Sequence, residues 1–258
     1  MTGRTAALLP GLHVDLQPAG WRFVARPGTD SRRARDYLAW DLDAAEQAFA
    51  GYEGPFKVQV TGPWTLAATI ELHRGDRALS DRGAVRDIAD ALDEGIAEHV
   101  REIRRRIPGA DVVVQLDEPA LPAVLEGRVP TASGFGTLRS VPRPEVAAAL
   151  RLDGRGVHCC AADVPLDLLA GAAFVSLDLA LLTSRRYDAL AALLDGGTRL
   201  FAGTTDHARL RRVVSDLGAD RARIVVTPPC GLAGATPDEA RAALRQAREH
   251  ARRLEEDE

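Results

Sequence analysis

Imidazole nitrogen and thiolate sulfur are the donors zinc favours, and this sequence sets them side by side in Gly156-Val157-His158-Cys159-Cys160-Ala161. The segment follows a Gly-rich turn and reads as a short buried strand. Side chains alternate along a strand, so His158 and Cys160 point to one face and Cys159 to the other. An H-x-C pair on one face at a strand's end is half of a zinc site. The only other cysteine, Cys230, follows a second apolar run, Ile224-Val225-Val226, in Thr227-Pro228-Pro229-Cys230-Gly231-Leu232. Between them, Phe174-Val175-Ser176-Leu177-Asp178 is a third apolar run with a carboxylate at its end. A buried cysteine can be no more than a small hydrophobe. Two further candidate ligands, Asp178 and Cys230, each at its own strand's end, strengthen the metal reading. Strand ends are where a parallel α/β sheet or barrel keeps its chemistry.

The rest of the composition narrows the class. A chain of 258 residues fits one large domain, and α/β barrels reach that size as a single unit. Its 46% hydrophobic and 27% charged residues are ordinary for a globular protein. A net charge of −4 gives no case for nucleic acid. Every basic residue except Lys57 is arginine, but the arginines are dispersed among acids and form no anion-binding run. No apolar run approaches a membrane span, and the start lacks the charged-then-apolar pattern of a signal peptide. Three cysteines, two of them adjacent, make no disulfide framework, so a reducing cytoplasm is the expected compartment.

The strands that must carry these residues can be read in order. An apolar stretch over 5–9 looks like the tail of a helix. Leu12-His13-Val14-Asp15-Leu16 and Trp21-Arg22-Phe23-Val24 flank Pro18-Ala19-Gly20 as a hairpin. Residues 31–50 have helical spacing. Phe56-Lys57-Val58-Gln59-Val60 then begins a rhythm of strand and helix. The next members are a helix from Trp64, a long helix over 84–107 stopped by Pro108-Gly109, and the strand 111–116 ending in Asp117-Glu118-Pro119. Helical patterns at 121–125 and 144–150 precede the His158 strand. The Asp178 strand, a helix at 187–194, the strand 199–203, a helix at 208–217 and the Cys230 strand follow. The last helix opens at Thr236-Pro237-Asp238-Glu239, where Thr can cap and Pro suits the first turn, and ends in a solvated acidic tail. Strand and helix alternating without a hairpin argue for a parallel sheet covered by helices. The expectation is α/β, TIM-barrel-like and incomplete, with about six βα units against the eight of a closed (β/α)8 barrel. No Gly-x-Gly-x-x-Gly follows the first strand, which disfavours a dinucleotide fold.

Five short stretches together resemble the catalytic domain of cobalamin-independent methionine synthase. They are Thr61-Gly62-Pro63-Trp64-Thr65-Leu66, Gln115-Leu116-Asp117-Glu118-Pro119-Ala120-Leu121, His158-Cys159-Cys160, Ser176-Leu177-Asp178 and Cys230-Gly231-Leu232. They keep that family's order and roughly its spacing from about Lys57 onward. The resemblance implies one catalytic domain over 1–258, with a hairpin and helix in 1–50 and the βα units in 51–258. It implies a barrel that binds zinc (Zn2+) and methylates the thiol of homocysteine. By position, His158, Cys160 and Cys230 match its zinc ligands, and Asp178 stands where the family has a glutamate ligand. Asp117 matches a carboxylate that holds the substrate's amino group, Thr61 lies beside the substrate pocket, and His207 follows the strand where the family places a catalytic histidine. Glu118 falls on the opposite face from Asp117 and reads as structural.

The implied partners are homocysteine and a methyl donor, either methyl-folate or a methyl-corrinoid. Neither a nucleic acid nor a membrane is among them. The family's first strand, ending in Gly-Ser, and its second are not legible ahead of Thr5. An open edge on that side is therefore expected, and an edge of that kind is compatible with a homo-oligomer. A non-catalytic barrel is the alternative that the same missing strands would support.

Overall fold

The computed structural model describes residues 1–256, and within it the chain groups into two compact units, Met1–Arg151 and Leu152–Glu258. Asp257 and Glu258, the end of the expected acidic tail, lie outside the described residues.

The first unit opens with α1 (Thr2–Ala6), the antiparallel hairpin β1 (His13–Gln17) and β2 (Gly20–Val24), and α2 (Thr29–Ala48). It continues through β3 (Gly54–Thr61), α3 (Pro63–Thr69), α4 (Arg82–Arg106), β4 (Ala110–Asp117), α5 (Leu121–Glu126) and α6 (Arg143–Leu150). Strands β3 and β4 pair in parallel, with Lys57 opposite Val113, Gln59 opposite Gln115 and Thr61 opposite Asp117. Alternation then sorts their side chains. Phe56, Val58 and Val112 pack with Ile103, Ile107 and Ala110 and with Leu42 and Ala45 of α2, forming an apolar core. Lys57, Gln115 and Asp117 fall on the other face. Asp81 caps α4 by accepting from the N–H groups of Gly83 (2.7 Å) and Ala84 (3.1 Å), which satisfies two amides that the helix itself leaves unpaired.

The second unit holds β5 (Arg155–Cys159), β6 (Phe174–Asp178), α7 (Tyr187–Asp195), β7 (Arg199–Gly203), α8 (His207–Leu217), β8 (Ile224–Thr227) and α9 (Pro237–Glu256). Its four strands pair in parallel in chain order. The expected cap at Thr236 is formed, and it is a reciprocal capping box. Glu239 N–H donates to Thr236 Oγ1 at 3.3 Å, and Thr236 N–H donates back to Glu239 Oε2 at 2.8 Å. One connection departs from the strand-helix rhythm: β5 reaches β6 through a single 3-10 turn, Leu166–Leu169. Pro165 before that turn and Gly171 after it, at φ 88°, leave no run long enough for an α-helix.

The fold is thus mixed α/β, with six parallel strands among the described residues, each followed by a covering segment. It is an incomplete TIM-barrel-like fold. No described helix is long and apolar enough to cross a membrane.

Candidate metal centre

Two glycines let the second unit bring its donors together. A Cβ on Gly156 would lie 2.2 Å from the Phe174 ring, so only glycine lets that ring cross β5. Phe174 stacks on Phe201 with ring centroids 4.0 Å apart, and His158 stands two residues beyond Gly156 on the same face of β5. A Cβ on Gly203 would lie 2.8 Å from both the Leu177 carbonyl oxygen and Pro229 Cα. Its absence admits the Pro228-Pro229 segment that carries Cys230 out of β8.

The result is one group of three donors. Ligand atoms of His158, Cys160 and Cys230 all lie within 4.8 Å of one another. Two sulfurs bound tetrahedrally at about 2.3 Å to one zinc ion would sit about 3.8 Å apart, so this spacing closes on a metal with little movement. His158 is buried, Cys160 half-buried and Cys230 exposed, so the group opens to solvent on the Cys230 side. No disulfide joins the cysteines.

The orientation of His158 is set by β6. Its Nδ1 lies 3.1 Å from the Ser176 carbonyl oxygen and 3.1 Å from Ser176 Oγ. A carbonyl can only accept, so Nδ1 carries the proton and Nε2 is left as a bare lone pair. That Nε2 is buried and has no hydrogen-bond partner. A buried acceptor without a partner costs about 1–3 kcal/mol, and a metal ion would supply the missing partner. Anchoring one ring nitrogen on a carbonyl while the other faces the metal is how metal-binding histidines are usually held.

Cys159 takes the other face. It is buried beside a small cavity lined with Val164, Leu166, Leu177 and Leu182, where it packs as an apolar side chain. Asp178 is not among the three grouped donors; its Oδ1 accepts from Ala180 N–H at 2.8 Å and caps the turn that follows β6. His207 also stands outside the group. It is the first residue of α8, and its ring lies 5.5 Å from that of buried His250 on α9. Burial, then the charge His207 can carry, holds His250 below the usual histidine pKa.

The candidate residues of the first unit lie at the ends of β3 and β4. Asp117 Oδ1 accepts from Gln115 Nε2 at 2.7 Å. Thr61 is buried, its N–H donating to Thr5 Oγ1 at 2.8 Å and its hydroxyl accepting from Thr5 at 3.3 Å, so α1 closes that corner of the strand. Glu118 is fully buried and accepts from Trp64 N–H (2.9 Å), Thr65 N–H (2.8 Å) and Thr65 Oγ1 (2.6 Å). Burial pushes its carboxyl up to about 7 against the pull of those three donors. The structural role read for Glu118 is therefore specific: it ties the end of β4 to the start of α3.

A solved B12-independent methionine synthase from a Shewanella species, in complex with selenomethionine, has a similar fold, with TM-score 0.55 and 14% identity over 84% of this chain and 67% of that one. The likeness is one of fold. No protein-family model and no curated protein matches the chain in sequence.

Sequence reasoning did not single out Ser176 as the partner of His158. Its place at the centre of Phe174–Asp178, on the same alternation as His158 in the neighbouring strand, was the available signal.

Proposed function

We propose that the chain is a zinc-dependent thiol methyltransferase that acts on homocysteine, the two units working as one catalytic domain. The observation that carries the reading is the grouping of His158, whose Nε2 is buried and without a hydrogen-bond partner, with two thiols, one ligand atom of each residue lying within 4.8 Å of the others. His158, Cys160 and Cys230 would hold the metal. Three protein ligands leave one position for an exchanging group, the pattern of catalytic rather than structural zinc. A bound zinc ion would keep a coordinated thiol as thiolate at neutral pH, where a free thiol with a pKa of about 8.5 is mostly protonated. Only the thiolate attacks a methyl group well.

The chain's own residues do the rest. Ser176 fixes the tautomer and ring plane of His158. The thiolates of Cys160 and Cys230 would by themselves balance the charge of one zinc ion, so a third, incoming thiolate would stay electron-rich. Asp117, held in place by Gln115, would take the amino group of the substrate. The donor is either a methyl-folate or a methyl-corrinoid, since both carry a methyl group open to nucleophilic attack.

Zinc stoichiometry, homocysteine binding and methionine formation with each donor test the reading. One zinc per chain, homocysteine bound only by the zinc-loaded protein, and methionine from at least one donor are expected. Metal-free protein that cannot be loaded would remove the basis of the proposal. Loaded protein that gives no methionine from either donor would favour a non-catalytic barrel.

A further inference from the structure

Lysine is the rarest charged residue here: Lys57 is the one lysine among 33 lysine-plus-arginine residues. It sits on the face of β3 turned away from α2 and α4, in the same row as Gln115 and Asp117 of β4. Its Nζ donates to Gln115 Oε1 at 3.2 Å, and Gln115 Nε2 donates to Asp117 Oδ1 at 2.7 Å. Both ends of the amide are engaged, so Gln115 cannot flip without setting donor against donor. A cation and an anion are thereby held apart by one rigid amide.

That spacing has a chemical counterpart. An α-amino acid presents a carboxylate and an ammonium group separated by about the span of an amide's oxygen and nitrogen. Gln115 therefore bridges between Lys57 and Asp117 much the gap that such a zwitterion would bridge. An ammonium has three donors and Gln115 takes one, which leaves two for an incoming carboxylate. The surrounding protein also strips water from the lysine, which lowers its pKa, while the Asp117 carboxylate acts in the opposite sense. A partly dehydrated ammonium gains more from an anionic ligand than a fully hydrated one.

We infer that Lys57 binds the α-carboxylate of the amino acid whose amino group Asp117 holds, with Gln115 setting the distance between the two charges. The inference rests on the homocysteine reading above and adds its carboxylate anchor. It makes Lys57 a binding residue that selects α-amino acids over simple thiols.

Truncated ligands separate the two charges. Zinc-loaded protein is titrated calorimetrically with homocysteine, with 3-aminopropanethiol, which lacks the carboxylate, and with 4-mercaptobutyrate, which lacks the amino group. Lys57→Met should weaken homocysteine and 4-mercaptobutyrate roughly tenfold or more and leave 3-aminopropanethiol unchanged. Lys57→Arg should restore part of the loss. Asp117→Asn should show the mirror pattern. Because the chain has one lysine, acylation by an amine reagent, read by mass spectrometry, adds a direct measure: homocysteine should shield Lys57, and 3-aminopropanethiol should not.

Equal weakening of all three ligands by Lys57→Met, or none, would overturn the lysine assignment while leaving homocysteine binding intact. Failure of the wild-type protein to bind homocysteine, with Lys57 equally reactive throughout, would overturn both readings. An unchanged urea-unfolding midpoint in Lys57→Met confirms that the variant is folded.

Discussion

Two strand ends, at Glu118 in the first unit and at His158 in the second, treat their polar groups in opposite ways. In the first unit they are engaged: Glu118 accepts three hydrogen bonds, Thr61 is tied to Thr5, and Asp117 is held by Gln115. In the second unit, His158 is anchored at one nitrogen and left bare at the other, beside two thiols. Buried polar groups are nearly always satisfied, so an exception that stands beside two thiols needs an explanation. Saturation at Glu118 marks a joint between strand and helix. The gap at His158 marks a place for a ligand. Both residues sit at the end of a parallel strand, so position in the fold alone would not tell them apart.

The contrast breaks most sharply at the thiols. Cys160→Ser or Cys230→Ser should cost zinc affinity a hundredfold or more, on the order of 3 kcal/mol or above, since a hydroxyl is a poor zinc ligand at neutral pH. Competition with a chromogenic chelator measures it. Cys159→Ser should retain the metal, because that side chain is buried on the other face of β5, outside the three-donor group. Loss of zinc from Cys159→Ser but not from Cys160→Ser would mean that the other cysteine faces the metal.

In the first unit the corresponding change acts on folding. Glu118→Ala strands the N–H groups of Trp64 and Thr65 and should destabilise the unit by about 3 kcal/mol in urea unfolding, with zinc content unchanged. Glu118→Gln sharpens the point through pH. The folded carboxyl titrates near 7 against an ordinary 4.5, so its contribution to stability is complete below about 4.5 and is lost as pH rises through 7. The variant should therefore gain on the wild type as pH rises from 5 to 8, by roughly 3 kcal/mol at most. A constant difference across that range would show that Glu118 does not titrate there.

The smallest effect expected is at Ser176. Ser176→Ala removes the hydroxyl near Nδ1 but keeps the carbonyl. Zinc affinity should fall by about tenfold, the lower end for losing an outer hydrogen bond to a metal ligand. No change at all would assign the whole orienting role to the backbone carbonyl.

Much of this was open to reading from residue types. The strands declared themselves as apolar runs closed by Gly, Pro or Asp, and the H-x-C face followed from alternation alone. What sequence could not supply was where each polar atom spends its hydrogen bonds. The place of Asp178 at the end of β6 is legible in the sequence, whereas the use of its Oδ1 two residues on, by Ala180, is not. Thr61 is placed beside a pocket by its motif, but its pairing with Thr5, 56 residues earlier, has no local signal. Lys57 stands out in the sequence only as the single lysine, and its partner on β4 is given by the register. Pairings of that kind depend on strand register and on loops between distant segments, neither of which a local pattern encodes.

X-ray absorption at the zinc edge, with and without homocysteine, tests the central claim most directly. The account predicts two sulfur neighbours at about 2.3 Å and an imidazole nitrogen at about 2.0–2.1 Å, rising to three sulfurs when homocysteine is added. A shell of oxygen and nitrogen alone, or a sulfur count that stays at two with homocysteine bound, would contradict it.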